Sequence, residues 1–162
     1  MKIPDAVLPA LRKATSSCSL QLEFWKSDSG DRIMDCFFEL AICLTIAKLD
    51  FLKLPKGYGL ATLLFRWESE CQTEGWQAFE WIRDISKVAE AYSEVGLRGE
   101  GDAISRAAAA WKKSNGSADA ATTAYNIQLH PYSVDLDRLE YLVDYFCERA
   151  SEMFYEKSNE ST

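Results

Sequence analysis

Ser19 to Phe24 reads SLQLEF, the one place in the chain where apolar and polar residues alternate. Alternation with a period of two is the mark of a half-buried strand. The same stretch also fits a helix, because Leu11, Ala14, Cys18, Leu22 and Trp25 recur at intervals of three and four. A single strand has no edge to pair with, so the helical reading prevails and the chain reads as all-α.

The flanking sequence extends that reading. DRIMDCFFELAICLTIAKLDFLKL, residues 31–54, places Ile33, Phe37, Leu40, Cys43, Leu44 and Ala47 on one face and stops at Pro55 and Gly57. YGLATLLFRWESEC, residues 58–71, aligns Leu60, Leu63, Leu64 and Trp67. Asp84 is placed to cap ISKVAEAYSEV and Gly96 to end it. GLRGEGD then reads as a loop, with Asp102 capping the alanine-rich AISRAAAAWKK. SNG at 114–116 is a turn, and Ser117 caps a short helix to about Ile127. After LHPYS a long helix is predicted from Val134 to Lys157, followed by a frayed tail at 158–162. The expected architecture is a single compact irregular bundle of seven or eight helices in one domain, residues 1–157.

Charge narrows the function classes. The net charge is −7 and the isoelectric point about 4.8, so nucleic acid and anionic membrane would both be repelled, whereas a basic partner would be attracted. The longest apolar stretch, CFFELAICLTIAKLDFLKL, is interrupted by Glu39, Lys48 and Asp50 and falls short of the ~20 apolar residues of a membrane span. MKIPDAVLPALRK carries no apolar signal core, which makes the cytoplasm the expected location.

Side chains suited to chemistry are sparse. Five cysteines, an odd number without CxxC spacing, point to free thiols in a reducing compartment. Cys36 and Cys43 would be ~10 Å apart along one helix, too far for a disulfide. His130 is the only histidine, so neither a multi-histidine metal site nor a histidine-based nucleophile pair is expected. Gly96, Gly99 and Gly101 lack the order and the flanking residues of a phosphate loop. No cofactor or metal is expected. Carboxylates are plentiful, and Glu68, Glu70 and Glu74 cluster near residues 70–82 as candidates for an acid–base pair.

ECQTEGWQAFEWI, residues 70–82, carries a resemblance. Glu70, Gly75, Trp76 and Phe79, followed by AEAYSEVG and an alanine-rich helix, look like a family of small helical bacterial proteins catalogued as a domain of unknown function. Its signature reads Glu-x-Asn-Asn-Gly-Gly-Phe-x-Gln-Phe/Tyr-Phe-x-Asn, with a later Ile-Gly step that Val95-Gly96 resembles. In this chain Gln72 and Thr73 stand on the two early asparagines, Ala78 on the glutamine and Ile82 on the last asparagine. The resemblance spans about residues 60–111. One member of that family is an acidic, dimeric DNA mimic that occupies a transcription factor in place of DNA, so the resemblance implies the same class of partner and a homodimer as one arrangement. Read from the residues alone, Gly75 supplies a left-handed turn, and Trp76, Phe79 and Ile82 recur every third residue on one mostly buried face, with Trp81 off that face.

Acidic side chains concentrate at the C-terminus. From Ser133 onward there are eight acids and three bases. Glu140, Asp144, Glu148, Glu152, Glu156 and Glu160 recur every fourth residue, while Leu139, Leu142, Val143, Phe146, Ala150, Met153 and Phe154 form an apolar face. On a continuous helix such acids rise ~6 Å per step, against one phosphate per ~3.4 Å of a DNA strand. The expected function is a non-enzymatic acidic module that binds a basic protein, such as a DNA-binding protein, through Glu140, Asp144, Glu148, Glu152 and Glu156. The alternatives are an immunity-type inhibitor of a basic toxin and a hydrolase built on Glu68, Glu70 and Glu74.

Overall fold

In a computed structural model, residues 1–157 are described. Eight α-helices follow in chain order among them: α1 Leu8–Ser17, α2 Gly30–Ala47, α3 Lys56–Glu74, α4 Ile85–Glu94, α5 Arg98–Lys113, α6 Ala118–Tyr125, α7 Asp135–Glu148 and α8 Ala150–Met153. The described residues contain no strand; one isolated antiparallel bridge joins Lys2 to Glu156. The chain is all-α, as its periodicity predicts. No helix among the described residues is long and apolar enough to cross a membrane.

SLQLEF is neither strand nor helix. Ser19 turns into the left-handed region (φ 53°), and the Ser19 and Leu20 amides donate back to the Ser16 and Thr15 carbonyls at 3.2 and 2.9 Å. That pair of bonds closes α1. Trp25 reaches the core from a separate 3₁₀ turn, Phe24–Lys26. Helix α2 also ends early, at Ala47 rather than beside Pro55. Ile46 and Ala47 are already exposed, so the last turn has no core to hold it, and Lys48 (φ 51°) breaks the helix. The following 3₁₀ turn, Phe51–Lys53, leaves Leu52 almost wholly exposed.

The chain divides into two units. One comprises residues 1–66 with the chain from Glu140; the other is Trp67–Leu139. The first unit has an aromatic core. Phe37 stacks on Phe65 with ring centroids 5.0 Å apart, and Trp25 stacks on Phe154 at 4.6 Å. The buried Tyr58 hydroxyl donates to the Phe154 carbonyl at 2.9 Å. Gly57 lets the backbones meet there, since a Cβ would lie 2.4 Å from the Met153 carbonyl oxygen.

The long C-terminal helix predicted to reach Lys157 stops at Glu148. Arg149 leaves helical geometry, and α8 adds only one turn. Three consecutive buried residues, Met153, Phe154 and Tyr155, account for the end of α8. Successive helical residues are ~100° apart, so three in a row cannot all face one core. The backbone leaves the helix instead, and the Glu156 amide donates to the Lys2 carbonyl at 2.8 Å. The tail at 158–162, including Glu160, lies outside the described residues.

In the second unit the glycine-rich stretch is helix rather than loop, and Asp102 sits inside α5 rather than capping it. Helix α5 begins at Arg98, so Gly99 and Gly101 occupy its first turns. A Cβ on Gly101 would lie 2.6 Å from the Ala89 carbonyl oxygen of α4, and one on Gly99 would lie 3.0 Å from His130 Cβ. Glycine is needed there for close packing. The buried stripe of α3 is also rotated from the predicted one. Leu60 and Leu63 are half-buried, while Tyr58, Ala61, Leu64, Phe65, Trp67 and, unexpectedly, Glu68 are buried.

Candidate functional site

The acidic residues named from sequence lie in the first unit. Glu140, Asp144 and Glu148 are exposed on α7, Glu152 is exposed on α8, and Glu156 is exposed beyond it. Leu139, Leu142, Val143, Phe146, Ala150, Met153 and Phe154, the predicted apolar face, are all buried. The regular four-residue ladder is therefore limited to the three carboxylates of α7. Glu148 also meets a base: Arg149 Nη1 is 3.5 Å from Glu148 Oε2, and the Arg149 guanidinium lies 4.4 Å from the Tyr145 ring centroid.

The residues of the family-like motif lie in the second unit and serve mainly to build it. Gly75 ends α3 with φ 58°. A six-residue 3₁₀ helix, Gly75–Glu80, follows in place of the α-helix the spacing suggested. With three residues per turn, a 3₁₀ helix aligns positions three apart, which is why Trp76 and Phe79 stack at 5.5 Å. Both are half-buried, and Phe79 also meets Trp67 at 5.3 Å. The Trp76 indole N–H donates to Thr122 Oγ1 at 2.9 Å. Trp81 is exposed and donates to Glu70 Oε2 at 2.8 Å. Gly96 (φ 86°) ends α4 as predicted, with the Leu97 amide bonded to the Tyr92 carbonyl at 2.8 Å. Ala78 and Ile82, which stand where the resembled family has glutamine and asparagine, are buried.

A charged cluster that periodicity did not single out lies inside the same unit. Arg138 Nε and Nη2 donate to Glu68 Oε1 and Oε2 at 2.5 and 2.8 Å, a bidentate pair. Nη2 also donates to Asp135 Oδ1 at 2.9 Å, and Nη1 to the Tyr132 carbonyl at 3.0 Å. Tyr92, wholly buried, donates its hydroxyl to Glu68. A second carboxylate, Glu100, accepts from Tyr125 at 2.6 Å and lies 2.5 Å from His130 Nε2, all at its Oε2. Its Oε1 is 3.6 Å from Arg138 Nη1, beyond hydrogen-bond distance. Burial pushes the Glu100 carboxyl above its ordinary value, and the charge of Arg138 opposes that shift. Burial works against the Arg138 charge more than any one neighbour favours it, but the hydrogen bonds and charge of Glu68, with Tyr92 and Glu100, together outweigh burial and hold the guanidinium protonated.

No protein-family model, no curated protein and no solved structure matches this chain.

A cavity of about 190 Å³ adjoins the cluster, entirely within the second unit. Trp67, Trp76, Ile104 and Tyr125 give it apolar walls, and Glu100, Asp135 and Arg138 give it polar ones. Glu68, Glu70 and Glu74 do not converge: Glu68 is buried against Arg138, Glu70 bonds Trp81, and Glu74 is exposed. His130 is held by Glu100 with its side chain only 9% exposed, rather than free in a turn. All five cysteines are thiols. Among the described residues no group of three His, Cys, Asp or Glu side chains could hold a metal ion. One signal in the sequence did point to the cluster. Glu68 falls three residues after Phe65 and seven after Ala61, and Arg138 falls four before Leu142. Charges in register with a core stripe mark a buried pair.

Proposed function

We propose that this protein is a non-enzymatic acidic binding module whose α7 face, extended by Glu152 and Glu156, receives a basic protein. The observation that carries this reading is the segregation on that segment: Glu140, Asp144, Glu148, Glu152 and Glu156 are all exposed, while Leu142, Val143, Phe146, Ala150, Met153, Phe154 and Tyr155 between them are buried. Like charges four apart on a helix cost a few tenths of a kcal/mol each, and a helix C-terminus favours cations. Stability alone does not favour Glu148 as the last residue of α7. Complementary charge chiefly speeds and orients encounter, so the natural partner is a protein with a basic groove. The resemblance of residues 70–82 favours a DNA-binding protein, whose nucleic-acid site this surface would occupy. Free thiols suit a cytoplasmic setting.

The test compares the parent with a variant carrying Glu140→Gln, Asp144→Asn, Glu148→Gln, Glu152→Gln and Glu156→Gln. Both are immobilised and exposed to a lysate at low salt, and bound proteins are identified and titrated. A basic protein held by the parent, lost from the variant and displaced from DNA by the parent supports the reading. An identical set of bound proteins on the two refutes it.

A further inference from the structure

We infer that the cavity of the second unit is a binding site for a small aromatic ammonium cation. This rests on different residues from the acidic face and stands or falls separately. The size comes first. An apolar cavity of ~150 Å³ holds benzene, and this one, at about 190 Å³, has room for such a ring and one short polar arm. The walls come second. Trp67, Trp76 and Tyr125 line it, and two of these rings are pinned by hydrogen bonds, Trp76 to Thr122 and Tyr125 to Glu100. Fixed aromatic faces attract a cation through the ring quadrupole and need no reordering on binding.

The polar wall decides the sign of the ligand. Among the described residues Arg138 is the only cation lining it, and its donors are engaged by Glu68, Asp135 and the Tyr132 carbonyl. An anion would have to compete for a guanidinium already neutralised by a bidentate carboxylate. On that wall Glu100 and Asp135 set two carboxylates against the one guanidinium, which Glu68, outside the lining, already pairs. Glu100 uses Oε2 for Tyr125 and His130, while Oε1 stands 3.6 Å from Arg138 without a close bond to it. That oxygen is the acceptor a ligand N–H can reach. An ammonium group on a ring-sized body satisfies both walls; a carboxylate or a neutral alcohol satisfies one.

The probes are benzylammonium, benzyl alcohol and benzoate, added to the full chain labelled with ¹⁵N and followed through the indole N–H resonances. Benzylammonium is expected to shift the Trp67 and Trp76 signals saturably, and the other two to bind at least about tenfold more weakly. Glu100→Gln should weaken benzylammonium and leave benzyl alcohol little changed. Cys71→Phe, which fills the cavity from α3, should abolish both, with circular dichroism confirming that each variant is folded. Should either variant fail to fold, the ranking of the three probes on the parent decides alone. The inference is overturned if benzylammonium gives no saturable shift, if benzoate or benzyl alcohol binds as well, or if folded Cys71→Phe binds like the parent.

Discussion

Replacing Arg138 by methionine would strand the Glu68 carboxylate. Methionine keeps most of the side-chain volume, so the experiment isolates charge and hydrogen bonding. Arg138 is 4% exposed and Glu68 wholly buried, and they share two bonds of 2.5 and 2.8 Å. The Asp135 contact adds little, because that carboxylate is 65% exposed and screened by water. Removing one partner of a buried pair leaves an uncompensated charge and costs ~3–5 kcal/mol. A domain of this size is stable by only ~5–15 kcal/mol, so Arg138→Met should lower the melting temperature by ~6–20 °C. Urea unfolding followed by far-ultraviolet circular dichroism at pH 7 measures the loss. The double variant Glu68→Gln with Arg138→Met should recover most of it, because the neutral amide no longer needs a counter-charge and still accepts from Tyr92. A single-variant loss below ~1 kcal/mol, or a double variant that is merely additive, would refute the view that this pair is a coupled, desolvated unit.

Other outcomes follow from the same physics. Burial raises the Glu100 carboxyl above its ordinary value, so the folded state binds that proton more tightly than the unfolded chain. The resulting stabilisation is complete below the ordinary carboxylate value of ~4.3 and lost as pH rises through the higher folded value. Unfolding free energies across that window should fall more steeply for the parent than for Glu100→Gln, and parallel curves would contradict this. Gly101→Ala should destabilise by ~1–3 kcal/mol despite alanine's better helix propensity, because its methyl group meets the Ala89 carbonyl oxygen. Gly30→Ala, where nothing lies within 4 Å, should not destabilise, and thermal melts compare the two. The five-fold neutralised acidic variant should melt at or slightly above the parent temperature, since repulsion four residues apart on α7 is relieved. Burial, helped by Asp144 and Glu148, pushes the Cys147 thiol up to about 11. Its alkylation by iodoacetamide, read by mass spectrometry, should be slow at pH 8 and rise ~tenfold per pH unit toward that value.

Periodicity and punctuation carried much of the fold. Helical spacing marked the apolar face from Leu142 to Phe154, and local chemistry placed the left-handed turns at Gly75 and Gly96 and the Ser117 cap, whose hydroxyl accepts from the Ala120 amide at 3.2 Å. These depend on residues a few positions apart, so the chain reports them directly. What the sequence left undecided depends on partners distant along it. The break at Arg149 limited the acidic ladder to α7, and three successive buried residues ended α8. Close packing on Ala89 explains the glycine at 101 in a segment that is helix and not loop. Glu68 and Arg138 are 70 residues apart, and neither position, though in register with a core stripe, identifies the other as its partner. Only folding brings them within bonding distance, and only then does burial make their pairing obligatory and frame a cavity beside Glu100. Tertiary structure decides such features because desolvation belongs to the packed environment and not to the residue.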